Sequence, residues 1–289
     1  MSLSYIGHFH RARRSARQRL LEPILLGVRA FREVVLNAIA AKNHLIYCRL
    51  PHGNFFIDPS DRVIGSWLLW HGRWQFDEID QAVSILRKRG SMQFDSVFVD
   101  VGANIGTHTV YAMRSGLFHD AFAFEPETKN YELLRMNVAA NDLNSKTTIM
   151  KTAIGSCDGE ATMFLHPRNK GAHSLAGSPA PDASEQVRVQ VHRLDDILRS
   201  NSVAPSQVGL IWIDVEGMEL DVIRGLGEYI GRPLVVEFFP SRYQQSSLRE
   251  FRAVLKSHYK SLYRLGGNAV LEPISAIDRN SDTADILVM

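Results

Sequence analysis

Cysteine is nearly missing from this chain of 289 residues. There are two, Cys48 and Cys157, far apart and outside any Cys–His ligand pattern. That argues against a disulfide framework or a zinc site and for a reducing cytosol. No run approaches the ~18 apolar residues that would span a bilayer. The first residues lack the basic, apolar, small order of a signal peptide, so the expected location is cytoplasmic. A charge excess of one sign is missing too. Lys and Arg number 33 against 31 Asp and Glu, a formal net charge of +2, too small by itself to imply a nucleic-acid partner. There is no internal repeat and no low-complexity segment. The composition, 45% hydrophobic and 22% charged, suits one large domain, or a domain with an appendage.

The composition is uneven along the chain. Arg11, Arg13, Arg14, Arg17 and Arg19 crowd one short stretch, and Leu21, Ile24, Leu25, Val28, Phe31, Val35 and Ile39 then recur at helical steps. This predicts a basic amphipathic segment over residues 1–42. Such helices mostly pack on their own protein, and a peripheral membrane contact is the alternative. Residues 43–92 read as a lead-in: strands at His44–Leu50 and Asn54–Asp58 around Pro-His-Gly, then a helix within Gly72–Arg89 burying Phe76, Ile79, Val83 and Leu86. From residue 93 to 289 strands and helices alternate. Strands are predicted at Ser96–Val101, Ala121–Phe124, Thr147–Ile154, Val208–Ile213, Pro233–Phe238, Ser261–Leu265 and Ala284–Met289. Helices are predicted at Thr107–Arg114, Thr128–Ala140, Leu194–Arg199, Met218–Leu226 and Ser247–Tyr259. The alternation implies a mostly parallel α/β sheet. Between two more strands, Glu160–Leu165 and Gln186–Val191, lies a loop rich in Gly, Ser and Pro, from Pro167 to Ala183.

In an open parallel sheet, ligands sit beyond the carboxyl ends of the strands. Here those ends carry acids: Asp100, Glu125, Asp214 with Glu216 next, and Glu237. The loop after Asp100 reads G-A-N-I-G, a spacing unlike the G-x-G-x-x-G of dinucleotide sites. A pyrophosphate beside Asp100 and Asp214 would meet like charge, at ~1–4 kcal/mol per contact near 4 Å. S-adenosylmethionine offers the opposite sign, a sulfonium and an ammonium, with a ribose diol and no phosphate. Gly102 and Gly106 would admit close approach of its methionine part, and Asn104 can donate and accept hydrogen bonds. Thr107 is the next residue to contact it, and Glu125 is placed to accept both ribose hydroxyls. A nicotinamide-binding oxidoreductase uses the same acid, so it stays open as a rival, as does a binding module of the same fold without catalysis. Asp158, in S-C-D-G, can approach the adenine edge, but Asp-Gly is also an ordinary turn signal.

Together these residues resemble the FkbM family of S-adenosylmethionine-dependent methyltransferases. The matching stretches are FVDVGANIGTHTVYA from Phe98, AFEPETKNYELLRMNV from Ala123, TAIGSCDGEATMF from Thr152, HSL from His173, VHRLDDIL from Val191, IWIDVEGMELDVIRGL from Ile211 and VVEFFP from Val235. The resemblance runs from about Phe55 to Phe239. It implies a Rossmann-like class I methyltransferase fold: a seven-stranded sheet, helices on both faces, last strand antiparallel. It implies that Asp100, Gly102, Asn104, Gly106 and Glu125 line the cofactor site. It implies methyl transfer to a hydroxyl of a sugar, glycan, polyketide or similar small molecule. The loop Pro167–Ala183 and the arginine-rich start depart from the family pattern.

Methyl transfer to a hydroxyl calls for alignment and a general base. The candidates are Asp214, Glu216, Glu237 and His173. Asp214 reads as base or acceptor-orienting group; capping the next helix or binding the cofactor's ammonium are its alternatives. Glu216 and Glu237 can clamp acceptor hydroxyls. With Asp214 they suit a hard cation such as Mg²⁺ in ligand type, but three acids of unknown geometry do not call for one. His173, in G-A-H-S-L, titrates near neutrality if solvent-exposed. His108 reads as a packing or capping residue.

Overall fold

A computed structural model of the chain describes residues 31–42, 44–93, 95–175, 185–267, 269–279 and 283–289. Of the amphipathic N-terminal segment, residues 31–42 are described; 31–40 form a helix (α1) with Leu36 buried and Phe31 and Val34 exposed. The arginine cluster and the apolar residues up to Val28 lie outside the described residues, as do residues 176–184 of the Pro-rich loop. Contacts place α1 in one compact unit and Ile46–Ile57 with Asp61–Met289 in another. Among the described residues, all the β-strands belong to the second unit.

A hairpin comes first (β1, Ile46–Leu50; β2, Gly53–Ile57), then two helices (α2, Ile64–His71; α3, Phe76–Lys88). Then follow β3 (Val97–Val101), α4 (Thr107–Arg114), β4 (Asp120–Phe124), α5 (Thr128–Ala139), β5 (Thr147–Met150) and β6 (Ala153–Ile154). After β7 (Gly159–Leu165), β8 (Glu185–His192) and α6 (Leu194–Ser200) come β9 (Val208–Ile213), α7 (Glu219–Arg224), β10 (Leu234–Phe238) and α8 (Gln245–His258). The described chain closes with β11 (Ser261–Arg264), β12 (Leu271–Pro273) and β13 (Ala284–Val288).

The main sheet has the order β12-β11-β13-β10-β9-β3-β4-β5. The run from β5 to β10 is parallel, and β13 is antiparallel to β10 and β11. This is the expected sheet with an eighth strand on its edge. Leu-Glu-Pro at β12 is too short to show alternation, and its proline, lacking an N–H, is tolerated at an edge. The strand expected over Thr147–Ile154 is in fact two. The chain bends at Lys151–Thr152, so β5 stays in the main sheet while β6 joins β7 and β8 in a sheet of three. Helix α2 escapes a periodicity reading because Trp67, Leu68, Leu69 and Trp70 put apolar side chains on every side of it.

Period-two alternation splits the sheet into two buried faces. Phe98, Leu210, Trp212, Val235 and Leu287 face α3, α4 and α5. Val97, Val99, Val101, Ile211, Ile213 and Val236 face α6, α7 and α8. β3 lies between β4 and β9, so the chain runs one way from β3 and later returns on its other side. That reversal puts the ligand crevice at the carboxyl ends of β3 and β9.

The lead-in is stitched to this core by asparagines. Asn137 of α5 accepts from Phe56 N at 2.6 Å and donates to Phe56 O at 3.3 Å and Ile105 O at 2.7 Å. Asn141 accepts from Asn54 N at 2.8 Å and donates to Asn54 O at 2.7 Å. These amides take the place of a neighbouring strand for β2, meeting the demand that buried backbone groups be paired. Through Ile105 they also hold the loop after β3.

Candidate active site

The loop after β3 is spent on itself. Gly102 N and Ala103 N donate to Phe124 O at 3.0 and 2.9 Å, and Gly106 N to Ala103 O at 2.7 Å. Asn104 N donates to Glu125 Oε2 at 2.9 Å, and Ile105 N to Asn104 Oδ1 at 2.7 Å. The amides of residues 102–106 all have acceptors within the protein. The two glycines answer to the chain's own packing. Gly102 has φ +87, and a Cβ there would lie 1.9 Å from the Asp214 carbonyl oxygen. Gly106 has φ +84, and its Cβ would lie 2.6 Å from Leu134 Cδ1. The G-A-N-I-G and D-V-E-G loops therefore meet backbone to backbone.

A cleft opens over these strand ends, lined among others by Gly102, Asn104, Glu125, Asn130, His173, Asp214 and Glu216. Glu125 is buried and accepts from Glu127 N at 2.8 Å as well as from Asn104 N. Burial pushes its carboxyl up to about 8 against the pull of those two amides. Each oxygen keeps a second lone-pair direction, which suits a diol.

Several expected residues sit elsewhere. Asp100 lies under the loop, fully buried, with Thr109 Oγ1 donating to its Oδ2 at 2.5 Å and its Oδ1 unpartnered. Burial raises it to about 7, because it points to the α4 face, like Phe98, and not past the strand end. Gly106 and Thr107 shape the start of α4 and do not line the cleft. Asp158 is at the surface, its Oδ1 accepting from Arg193 N at 3.0 Å in a turn. His108 packs at 4.7 Å from the Trp212 ring, and burial lowers its imidazole to about 3.

His173 is buried, not exposed. Its Nδ1 accepts from His166 N at 2.9 Å, so the neutral ring carries its proton on Nε2. Burial holds it down at about 4. In that tautomer it is a donor, which removes it from the candidate bases. It belongs to a strap, His166–Ser174, across the cleft. Lys170 O accepts from both Asn104 Nδ2 and Asn130 Nδ2 at 3.0 Å, and Ser174 Oγ donates to Glu216 O at 2.8 Å.

The acids after β9 and on β10 do converge. One carboxylate oxygen from each of Asp214, Glu216 and Glu237 lies within 4.8 Å of the others. Sequence reasoning missed the group between them. Arg242 Nη1 lies 2.5 Å from Glu216 Oε2 and 2.9 Å from Glu237 Oε2, with the guanidinium 4.2 Å over the Phe239 ring. Among the described residues no side chain bonds the Asp214 carboxylate. Burial first, then Glu237 and Glu216, push it well above the usual carboxylate range. Glu219, the last acid of D-V-E-G-M-E, is consumed structurally: it accepts from Gly217 N at 2.9 Å and from the Tyr243 hydroxyl.

The profile of the Methyltransferase FkbM domain matches residues 100–263 of this chain. The chain belongs to the FkbM methyltransferase family. This chain is 30% identical over 155 residues to methyltransferase sdnD of Sordaria araneosa, covering 45% of this chain and 60% of that protein. It is 27% identical over 192 residues to the 2-O-methyltransferase NoeI of Sinorhizobium fredii, covering 61% and 73%. It is 28% identical over 134 residues to the hexuronic acid methyltransferase AglP of Haloferax volcanii, covering 46% and 50%. The match thus spans about 60% of the first of these relatives and half of the last. Among solved structures, the methyltransferase FkbM of Methylobacillus flagellatus aligns with a TM-score of 0.44 at 16% identity, over 68% of this chain and 44% of that one. With helices on both faces of its mostly parallel sheet, the FkbM domain has the Rossmann-like class I architecture. No helix among its described residues is long and apolar enough to cross a membrane.

Proposed function

We propose that this FkbM domain transfers the methyl group of S-adenosylmethionine to a hydroxyl oxygen of a sugar-like acceptor. The observation that carries the reading is the cleft itself, which joins Glu125, suited to a diol, to the bare Asp214 carboxylate. Glu125, Asn104 and the backbone at Gly102 would hold the cofactor, which when bound supplies an activated methyl on a sulfonium. The acids of the cleft suit its two positive centres. Asp214 takes the hydroxyl proton: its raised carboxyl is a better base than an ordinary aspartate. Glu216 and Glu237 present oxygens to neighbouring hydroxyls, and His173 donates from Nε2. The strap over Asn104 and Asn130 keeps water from the reacting groups. An oxygen acceptor is supported by the relative named 2-O-methyltransferase NoeI, and a sugar-like one by the hexuronic acid methyltransferase AglP. Two free cysteines support a reducing, cytoplasmic location, and residues 1–42 are the proposed site of any membrane contact.

Calorimetry with S-adenosylmethionine and S-adenosylhomocysteine is the test of the cofactor. Micromolar binding is expected, and no heat with either at millimolar concentration refutes the reading. With a panel of sugar acceptors, Asp214→Asn is expected to lower kcat by about 10²-fold or more. Unchanged kcat removes Asp214 as the base.

A further inference from the structure

The acidic rim already contains its own cation. Arg242 follows β10 directly, in F-F-P-S-R, and a short turn at Pro240–Arg242 brings its guanidinium back over the Phe239 ring. From there one nitrogen, Nη1, touches an oxygen of Glu216 and an oxygen of Glu237. The same two oxygen-bearing groups, with Asp214, form the three-carboxylate cluster whose spacing would otherwise suit a divalent ion. Arg242 and both glutamates are largely buried, with side-chain exposures of 20%, 15% and 16%, so solvent does little to loosen the contact.

We propose that Arg242 is a positioning residue that stands in for a divalent metal: it locks Glu216 and Glu237 into an ion-paired frame and leaves Asp214 as the carboxylate free to take the acceptor's proton. The proposal rests on the reading of this cleft as a methyl-transfer site and adds how its acids divide their work. Two consequences follow from charge alone. A divalent ion about 4 Å from the guanidinium loses on the order of 30-fold in affinity even at the dielectric constant of water, and more in a partly buried cleft. Removing the guanidinium leaves three carboxylates in reach of one point with no cation among them, the ligand type that Mg²⁺ and Mn²⁺ take.

The experiment is a Mn²⁺ titration of the full chain followed by electron paramagnetic resonance, which needs neither acceptor nor turnover. Wild type is expected to show no Mn²⁺ site tighter than millimolar. Arg242→Gln is expected to gain one at least 30-fold tighter, which the added Asp214→Asn substitution abolishes. Arg242→Lys, which keeps a cation, is expected to resemble wild type, and to restore methyl transfer that Arg242→Gln loses. A tight Asp214-dependent Mn²⁺ site in wild type overturns the proposal. So does a folded Arg242→Gln chain, judged by circular dichroism, that gains no Mn²⁺. If that variant fails to fold, the wild-type and Arg242→Lys titrations still decide. S-adenosylhomocysteine calorimetry on the same wild-type sample separates the two readings: no binding defeats the methyl-transfer assignment, whatever Mn²⁺ does.

Discussion

Replacing Gly102 by alanine tests the central piece of this geometry, the backbone contact between the two loops that build the cleft. Two costs add. An L-residue at φ +87 pays about 1–2 kcal/mol for the left-handed backbone. The new Cβ would also sit 1.9 Å from the Asp214 carbonyl oxygen. Real contacts of this kind do not fall below about 3 Å, so one strand end must retreat by roughly an ångström. Overpacking of that sort costs about 1–3 kcal/mol. The sum, about 2–5 kcal/mol, corresponds to a fall in melting temperature on the order of 10 °C for a domain of this size. Gly116 supplies the control. It has φ +68, and a Cβ added there would meet nothing within 4 Å, so Gly116→Ala carries the backbone cost alone. Thermal melts of both variants isolate the clash. Calorimetry with S-adenosylhomocysteine then asks whether the displaced Asp214 loop still completes the site, and a loss of binding beyond tenfold is expected for Gly102→Ala only. If the two variants melt within about 2 °C of each other and bind alike, the loops do not meet as described.

Asn137→Ala leaves Phe56 N, Phe56 O and Ile105 O without their partner. At about 1 kcal/mol or more for each buried group, urea unfolding should show a loss of about 3 kcal/mol; under 1 would mean that β2 is held by packing alone. Asn130→Ala removes one of two donors to Lys170 O, so hydrogen exchange at residues 166–174 should quicken while exchange in β3 stays slow; equal rates would show that the strap is not held there. Stability should fall as pH rises. Asp100, Glu125 and Asp285 have folded values raised to about 7, 8 and 7, so the folded chain holds more protons than the unfolded one between about pH 4 and 8. Their ionisation therefore erodes stability across that window, and melts at pH 6 should exceed those at pH 8 in the ligand-free protein. His173, held down at about 4, works the other way only below about pH 6.5. Binding a cationic cofactor should release protons near pH 7, seen as a buffer-dependent binding enthalpy; no buffer dependence counts against charged acids in the cleft.

Much of the fold was legible because its signals are local. β3, α4, β4 and α5 fall within a residue of their expected bounds, since apolar runs and helical periods sit between clear Gly and Pro punctuation. What escaped were features that depend on the chain's path. The bend at Lys151–Thr152 leaves no mark in a stretch that alternates on both sides of it. The strap could be named as a loop, but its path over Asn104 and Asn130 is a tertiary fact. The site divides the same way. The converging acids Asp214, Glu216 and Glu237 were readable as strand-end residues, because strand direction fixes where strand ends go. Arg242 was not, because it lies beyond Pro240 in a turn whose return over Phe239 no period predicts. One signal was available: a single arginine a few residues after the last rim acid, next to two phenylalanines on which it can stack.

The glycine loop also changes the reason for excluding a phosphate ligand. On sequence alone, like-charge repulsion from Asp100 and Asp214 carries the case. In the structure Asp100 is buried beneath the loop and raised towards neutrality, so it contributes little field at the cleft. What the loop adds is a matter of hydrogen-bond supply. A pyrophosphate needs several unclaimed amides pointing at one place, and within the loop those of residues 102–106 are claimed by Phe124 O, Glu125, Asn104 and Ala103 O. Glu125 takes two hydrogen bonds from the chain and keeps its remaining lone pairs for a ligand. A loop with its donors spent and an acid with acceptors to spare selects a ligand that brings its own donors. Hydroxyls and an ammonium do so, and a phosphate does not. The pairing of G-A-N-I-G with D-V-E-G follows from the same economy of space, since only a glycine at position 102 lets the Asp214 carbonyl close the floor of the cleft.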